Sequence, residues 1–191
     1  MFQEGGKMRD SIFMEFPHER TVFSDENYAV LGRALAYATA FESVCRELSI
    51  LNFVKAHVQD IQAREELSFE EALIQAAGEI WDSRLRQHMS LVIQYFEPSV
   101  DVKTILTDAK AARNEIAHEL SLGMSHWVET DKGRHNLLKR VCELSMSVAR
   151  GVVVLEFLSL FVSNEPLPSA AFISEYPKRI QEWIFDIKEL S

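Results

Sequence analysis

Glycine and proline are scarce in this chain, at 7 and 5 of its 191 residues. Few positions can take a left-handed backbone or stop a helix, which argues against an architecture of many short strands and tight turns. Cysteine is scarcer still. Cys45 and Cys142 both fall inside helical patterns, and two isolated cysteines make neither a disulfide framework nor a zinc site. A reducing, cytoplasmic setting is expected. Basic charge is also in deficit: 20 Lys and Arg stand against 29 Asp and Glu, for a net charge of −9. Such a chain repels polyanions at long range, so any nucleic-acid contact has to be local. Residues 1–20 scatter Glu4, Lys7, Arg9, Asp10, Glu15 and Arg20 without a long apolar run, so no secretory leader is expected. The most apolar segment, Val148–Val162, contains Arg150 and Glu156. It is shorter than the roughly 18–20 uninterrupted residues a span needs, so it reads as a buried core helix and no membrane partner is expected.

What is present is helical periodicity. Residues 1–23 include Pro17, show no clean period and read as an irregular arm; residues 24–191 read as one domain. Ser24 and Asp25 offer an N-cap to a long helix over 25 to about 58, whose apolar stripe is Leu31, Leu35, Ala38, Phe41, Cys45 and Leu48. Ser68 and Glu71 have capping-box spacing. They start a stretch that runs to about 96, with a break expected near Gly78 and a stop at Pro98. Asp101 can cap a third helix. Its stripe is Val102, Ile105, Leu106, Ala109, Ala112, Ile116, Ala117 and Leu120, and it ends at Gly123. A fourth helix, about 131–162, carries Leu137, Leu138, Val141, Leu144, Val148, Val152, Leu155 and Leu158. Asn164–Ser169 breaks it, and a short terminal helix or pair follows, with Pro177 as a start or a kink. The expected fold is all-α: an antiparallel bundle of about four main helices plus short terminal helices. The three tryptophans, Trp81, Trp127 and Trp183, are expected to pack, with Trp127 also placed to stack on a base. His57, His88, His126 and His135 show no ligand spacing and are expected at the surface or in caps.

One stretch of the third helix concentrates polar chemistry: Arg113-Asn114-Glu115-Ile116-Ala117-His118. Charged residues on an amphipathic helix are commonly only its wet side. Lys110, Asn114 and His118 share one face at four-residue steps. Arg113 lies near the edge of the apolar stripe, and on a regular helix it stands about 140° from His118. Glu115 and His118 also have the Glu-x-x-His spacing of carboxylate-bridged di-metal bundles. The only second copy is Glu15–His18, interrupted by Pro17, with Glu42 and Glu143 as lone carboxylates, so no metal or other cofactor is expected. Glu42 falls among the apolar residues of the first helix and needs a partner there. Arg46 one turn on and Arg113 are the two candidates.

The motif resembles the signature of the HEPN superfamily: an Arg, a polar residue that is very often Asn, then a His four to six residues after the Arg, on a late helix of a small all-α bundle. The likeness is specific over about residues 101–123 and architectural elsewhere. It implies a metal-independent endoribonuclease working as a homodimer, with two motifs facing each other across a cleft. His118 would be the acid–base group, Arg113 the phosphate anchor and Asn114 an orienting residue. Glu42 would support Arg113. The products would be a 2′,3′-cyclic phosphate and a 5′-OH. Lys110, Lys132, Arg134, Lys139 and Arg140 could supply a local basic rim for RNA, with Arg84, Arg86 and His88 a second cluster. A toxin or phage-defence role, with an antitoxin or regulatory protein as partner, belongs to the same resemblance. Leu120 stands where some HEPN toxins carry a Tyr modified by their partner, which puts that scheme in doubt. The other class of function is a non-catalytic helical module that binds RNA, a nucleotide or a protein.

Overall fold

The computed structural model describes residues 22–120 and 130–186, and among these the chain is all-α. Its helices are α1 (Val22–Glu65), α2 (Phe69–Trp81), α3 (Leu85–Phe96), α4 (Val100–Asn114), α5 (Asp131–Ser163) and α6 (Ala170–Phe185). A five-residue π turn, Glu115–Glu119, continues α4. Most of the irregular arm expected at 1–23 lies outside the described residues, as do Gly123, His126 and Trp127.

Local chemistry sets most of the helix starts. Ser68 accepts from the Glu71 amide while the Glu71 carboxylate takes the Ser68 amide at 2.9 Å, the expected capping box. Thr130 caps α5 and Ser169 caps α6 through the side-chain oxygen alone, each accepting one amide of the first turn. Ser99, rather than Asp101, caps α4; Asp101 sits in the first turn, where a carboxylate favours the positive end of the helix dipole. α1 begins at Val22 and ends at Glu65, so Ser24 and Asp25 lie inside the helix and its end overshoots 58. Gly78 does not break α2. Its neighbours Ala76 and Ile80 bury one face, and the chain turns instead at 82–84. Pro177 neither starts nor ends α6 but lies inside it, where a missing amide hydrogen favours a kink.

Long-range contacts fix the topology. His88 meets Ser49 and Tyr95 meets His57, so α3 runs in the same direction as α1. Phe41 lies against Gly151, and Lys55 reaches the Val162 carbonyl, so α5 also runs with α1. α2, α4 and α6 run the other way, giving an up-and-down bundle in which chain neighbours are antiparallel. The main core joins Phe41, Leu106, Ala109, Val148, Val152, Leu155 and Ile184. A smaller cluster, Val58, Ile61, Ala72 and Ala76, seals α1 to α2. Burial of a side chain such as Phe41 contributes about 1.5–3 kcal/mol.

The α1 stripe holds as expected at Ala38, Phe41, Cys45 and Leu48, with Leu31 packed against the core, and departs from expectation at its N-terminal end. Val30, Ala34, Tyr37, Ala38, Phe41, Cys45 and Leu48 are buried, whereas Leu35 is exposed. Over 44 residues the helix meets several different neighbours, so no single stripe serves its whole length. α5 is long and apolar enough to cross a membrane by length and composition, yet its stripe from Leu137 to Leu155 is buried against α1 and α4. Trp81 and Trp183 are half exposed, contrary to the packing role expected of them. His88 is wholly buried rather than superficial: its Nδ1 lies 2.6 Å from the Ser49 hydroxyl, which gives the ring a polar partner inside the bundle.

Candidate active site

α4 packs against α5 along Leu106, Ala109 and Ala112, and its C-terminal end points Arg113 at the middle of α1. There the Arg113 guanidinium donates through Nη2 to the Glu42 carboxylate. Arg46, one turn along α1, holds the other Glu42 oxygen at 3.5 Å. The structure therefore brings both candidate partners to Glu42. A half-buried carboxylate on an apolar stripe is tolerable because two cations neutralise it.

The Arg113 side chain is only 18% exposed. Its Nη1 donates to Asn114 Oδ1 at 3.1 Å and lies 3.5 Å from His118 Nε2. Guanidinium only donates, so the His118 nitrogen facing it accepts, and a neutral ring then carries its proton on Nδ1. Asn114 and His118 are exposed. Arg113 is thus anchored from behind by α1 and presents one edge to solvent beside an imidazole.

A regular helix would not permit this. The expected 140° between Arg113 and His118 is narrowed by the π turn, in which the Leu120 amide bonds the Glu115 carbonyl at 3.0 Å. The wider winding turns the chain by less per residue, so over the steps from Glu115 to His118 it carries the imidazole back toward Arg113. Ile116 and Leu120 remain buried across the turn, so the wider winding keeps its apolar anchors while redirecting His118. The i,i+5 spacing is visible in the sequence, but the change of winding leaves no local mark there.

The expected basic rim is only partly free. Arg140 donates to both Glu115 oxygens, at 2.6 and 2.5 Å, and to Glu143 at 3.2 Å. Its hydrogen bonds to Glu115 hold its pKa above the ordinary arginine value. Arg134 is paired with Asp131 at 3.1 Å. Both cations are therefore poor candidates for a phosphate contact. Lys132 and Lys139 are exposed and Lys110 is half-buried. In the second cluster, Arg84 and Arg86 are exposed while His88 is sealed inside, so that cluster loses its third member.

Arginines also occupy the carboxylates a di-metal site would need. Glu42 faces Arg113 and Arg46, and Glu115 and Glu143 share Arg140. Those cations repel a divalent ion. The second Glu-x-x-His, Glu15–His18, lies outside the described residues. Cys45 is buried, and burial pushes its thiol up to about 12, so it is an inert packing group.

Two concavities flank or avoid the motif. A shallow cleft of about 230 Å³ between α4 and α5 is lined by Asp108, Glu115, Glu143 and Arg140, and its acidic walls would repel a phosphate. An apolar cleft of about 360 Å³ lies between α5 and α6, against Val152, Phe157, Leu160, Phe172 and Tyr176. It begins about 18 Å along α5 from Arg140 and takes no part in the motif. Among the described residues of the motif, the face open to an anion is the exposed edge made by Arg113, Asn114 and His118. Compared with protein-family models, with curated proteins and with solved structures, the chain matches none.

Proposed function

We propose that this chain is a metal-independent endoribonuclease of the HEPN type. One observation carries the reading: the π turn sets an arginine and a histidine 3.5 Å apart at the surface, with the arginine braced from behind by Glu42. That pair matches the needs of phosphodiester transesterification. As the Arg113 guanidinium turns to the phosphate, His118 Nε2 is left free to take the proton from a ribose 2′-OH, and the 2′-oxygen attacks the adjacent phosphorus. Arg113 stabilises the negative charge that builds on the phosphoryl oxygens. The 5′-oxygen leaves with a proton, giving a 2′,3′-cyclic phosphate and a free 5′-OH. A second histidine is needed as the acid while the first acts as base, and a two-fold dimer supplies it. The setting is cytoplasmic, with a toxin or phage-defence role and an antitoxin or regulatory protein as partner.

A second reading has its own support. Glu42 already neutralises Arg113, whose side chain is mostly buried. That pairing suits a non-catalytic module in which the motif only holds α4 to α1. Incubation of the purified chain with a mixed RNA pool in EDTA separates the two readings. Fragments with 2′,3′-cyclic phosphate ends, lost in His118→Ala, support the enzyme. Intact RNA, or cleavage that needs added metal, supports the module.

A further inference from the structure

We propose that Arg140 is a positioning residue: its two-bond clamp on Glu115 holds the π turn that sets His118 beside Arg113. The catalytic consequence rests on the ribonuclease reading above, but the structural half does not. The sequence alone placed Arg140 in an RNA-binding rim, and its contacts point elsewhere. Arg140 Nε and Nη2 lie 2.6 and 2.5 Å from the two oxygens of Glu115, a parallel fork that fixes direction as well as distance. Glu115 is the first residue of the π turn, and its carbonyl accepts the turn's i→i+5 bond from Leu120. The clamp therefore grips the residue at which α-helical winding gives way to the wider one.

Arg140 is itself well placed to hold a register. It projects from α5 between Leu137, Val141 and Leu144, all buried in the core, so the helix beneath it cannot roll. Its third nitrogen, Nη1, donates to Glu143 at 3.2 Å. A π turn is an uncommon winding and persists only where its surroundings specify it. Burial of Ile116 and Leu120 holds the turn against the core but suits a regular four-residue step as well. The Glu115–Arg140 fork adds a fixed direction at the turn's first residue. Without it, α-helical winding would carry His118 about 140° from Arg113.

The test uses the full chain, selectively labelled with ¹⁵N-histidine, and needs no RNA for its first arm. In the parent protein, His118 should show the tautomer with its proton on Nδ1, because Nε2 faces a guanidinium. Glu115→Gln, Arg140→Gln and Arg140→Lys should each shift His118 toward the tautomer mixture of a free ring, with helical circular dichroism retained. The lysine variant is decisive. It keeps the charge and loses the fork, so it should fail as fully as glutamine. The second arm is RNA cleavage: kcat should fall about 10²-fold, the scale of a misplaced catalytic group, with KM nearly unchanged. If Arg140 variants do not fold, Glu115→Gln alone carries both arms. Unchanged His118 signals in folded Glu115→Gln overturn the proposal, as does full recovery by Arg140→Lys. A raised KM with kcat intact also overturns it and returns Arg140 to RNA contact. If the parent cuts no RNA, the ribonuclease reading falls and the spectroscopic arm still decides the role of Arg140.

Discussion

Ala109 in α4 and Glu115 at the start of the π turn, six residues and about 9 Å apart along the axis, are held to α5 by opposite means. At Ala109 the contact is steric. Gly151 lets the helices approach so closely that a Cβ added there would lie 2.3 Å from the Ala109 Cβ and 2.9 Å from Phe41. At Glu115 the contact is a charged fork from Arg140, and the helix changes its winding. The first contact leaves no freedom, since packed atoms cannot overlap. The second can be rebuilt by moving side chains. The difference suggests a division of labour: the glycine contact carries stability, and the polar end carries the geometry of the motif.

Breaking the polar end should have the largest effect. His118→Ala is expected to lower RNA cleavage about 10²–10⁴-fold. Its side chain is exposed, so the denaturation midpoint should barely move, with a change under about 0.5 kcal/mol. Parallel cleavage assays and urea titrations measure both. A large stability loss in this variant would collapse the division between the two ends.

Breaking the steric end should do the reverse. Gly151→Ala forces Ala109 and Phe41 to shift, at about 1–3 kcal/mol for overpacking a tight contact. Protein that remains folded should cleave at nearly the parent rate. Urea denaturation, with activity measured well below the transition, is the check.

Glu42 sits between the two regimes. Glu42→Gln leaves Arg113 and Arg46 without their shared anion, at about 1–3 kcal/mol for a lost charged hydrogen bond. It also frees the Arg113 guanidinium. RNA affinity should therefore rise while cleavage falls, a pairing that fluorescence anisotropy and a rate assay together would reveal. Equal loss of both would mean that Glu42 serves stability alone.

The smallest effects concern charge. Lys132→Ala and Lys139→Ala should each reduce the salt slope of RNA binding by up to about 0.7 if the residue touches a single-stranded phosphate. Arg134→Ala should change it less, because Asp131 already engages that guanidinium. Burial holds the His88 imidazole below its ordinary pKa, with Arg46 adding to the effect and the Ser83 backbone and Glu42 opposing it. The unfolded chain therefore takes up a proton first, at around pH 6.5. This contribution to stability is complete above that pH and is lost progressively as pH falls from there through the lower pKa of the folded state. Urea midpoints at pH 7.5 and 5.5 should differ more for the parent than for His88→Gln.

Much of the fold was legible because its causes are local. Ser68 and Glu71 cap as their spacing requires, and the stripes of α4 and α5 are buried as a 3.6-residue period demands. The misreadings fall where a residue's neighbour is remote in sequence. Leu35 is apolar and in phase with its stripe, yet no described helix covers it. His88 looks like any surface histidine until Ser49, 39 residues away, offers a buried hydroxyl. Trp81 and Trp183 are large and apolar, yet among the described residues nothing covers about half of each.

The motif divides in the same way. Its residue types and their five-residue spacing are properties of the sequence, and so is the shortage of breakers that makes the chain helical. Whether Arg113 could ever meet His118 was not. Regular winding keeps them apart, and only the packing of α4 between α1 and α5 sets Glu42 behind one and Arg140 across from Glu115. Periodicity is written into neighbouring residues. The π turn and the clamps on either side of it depend on partners 25 and 71 residues away, which only the tertiary structure brings into contact.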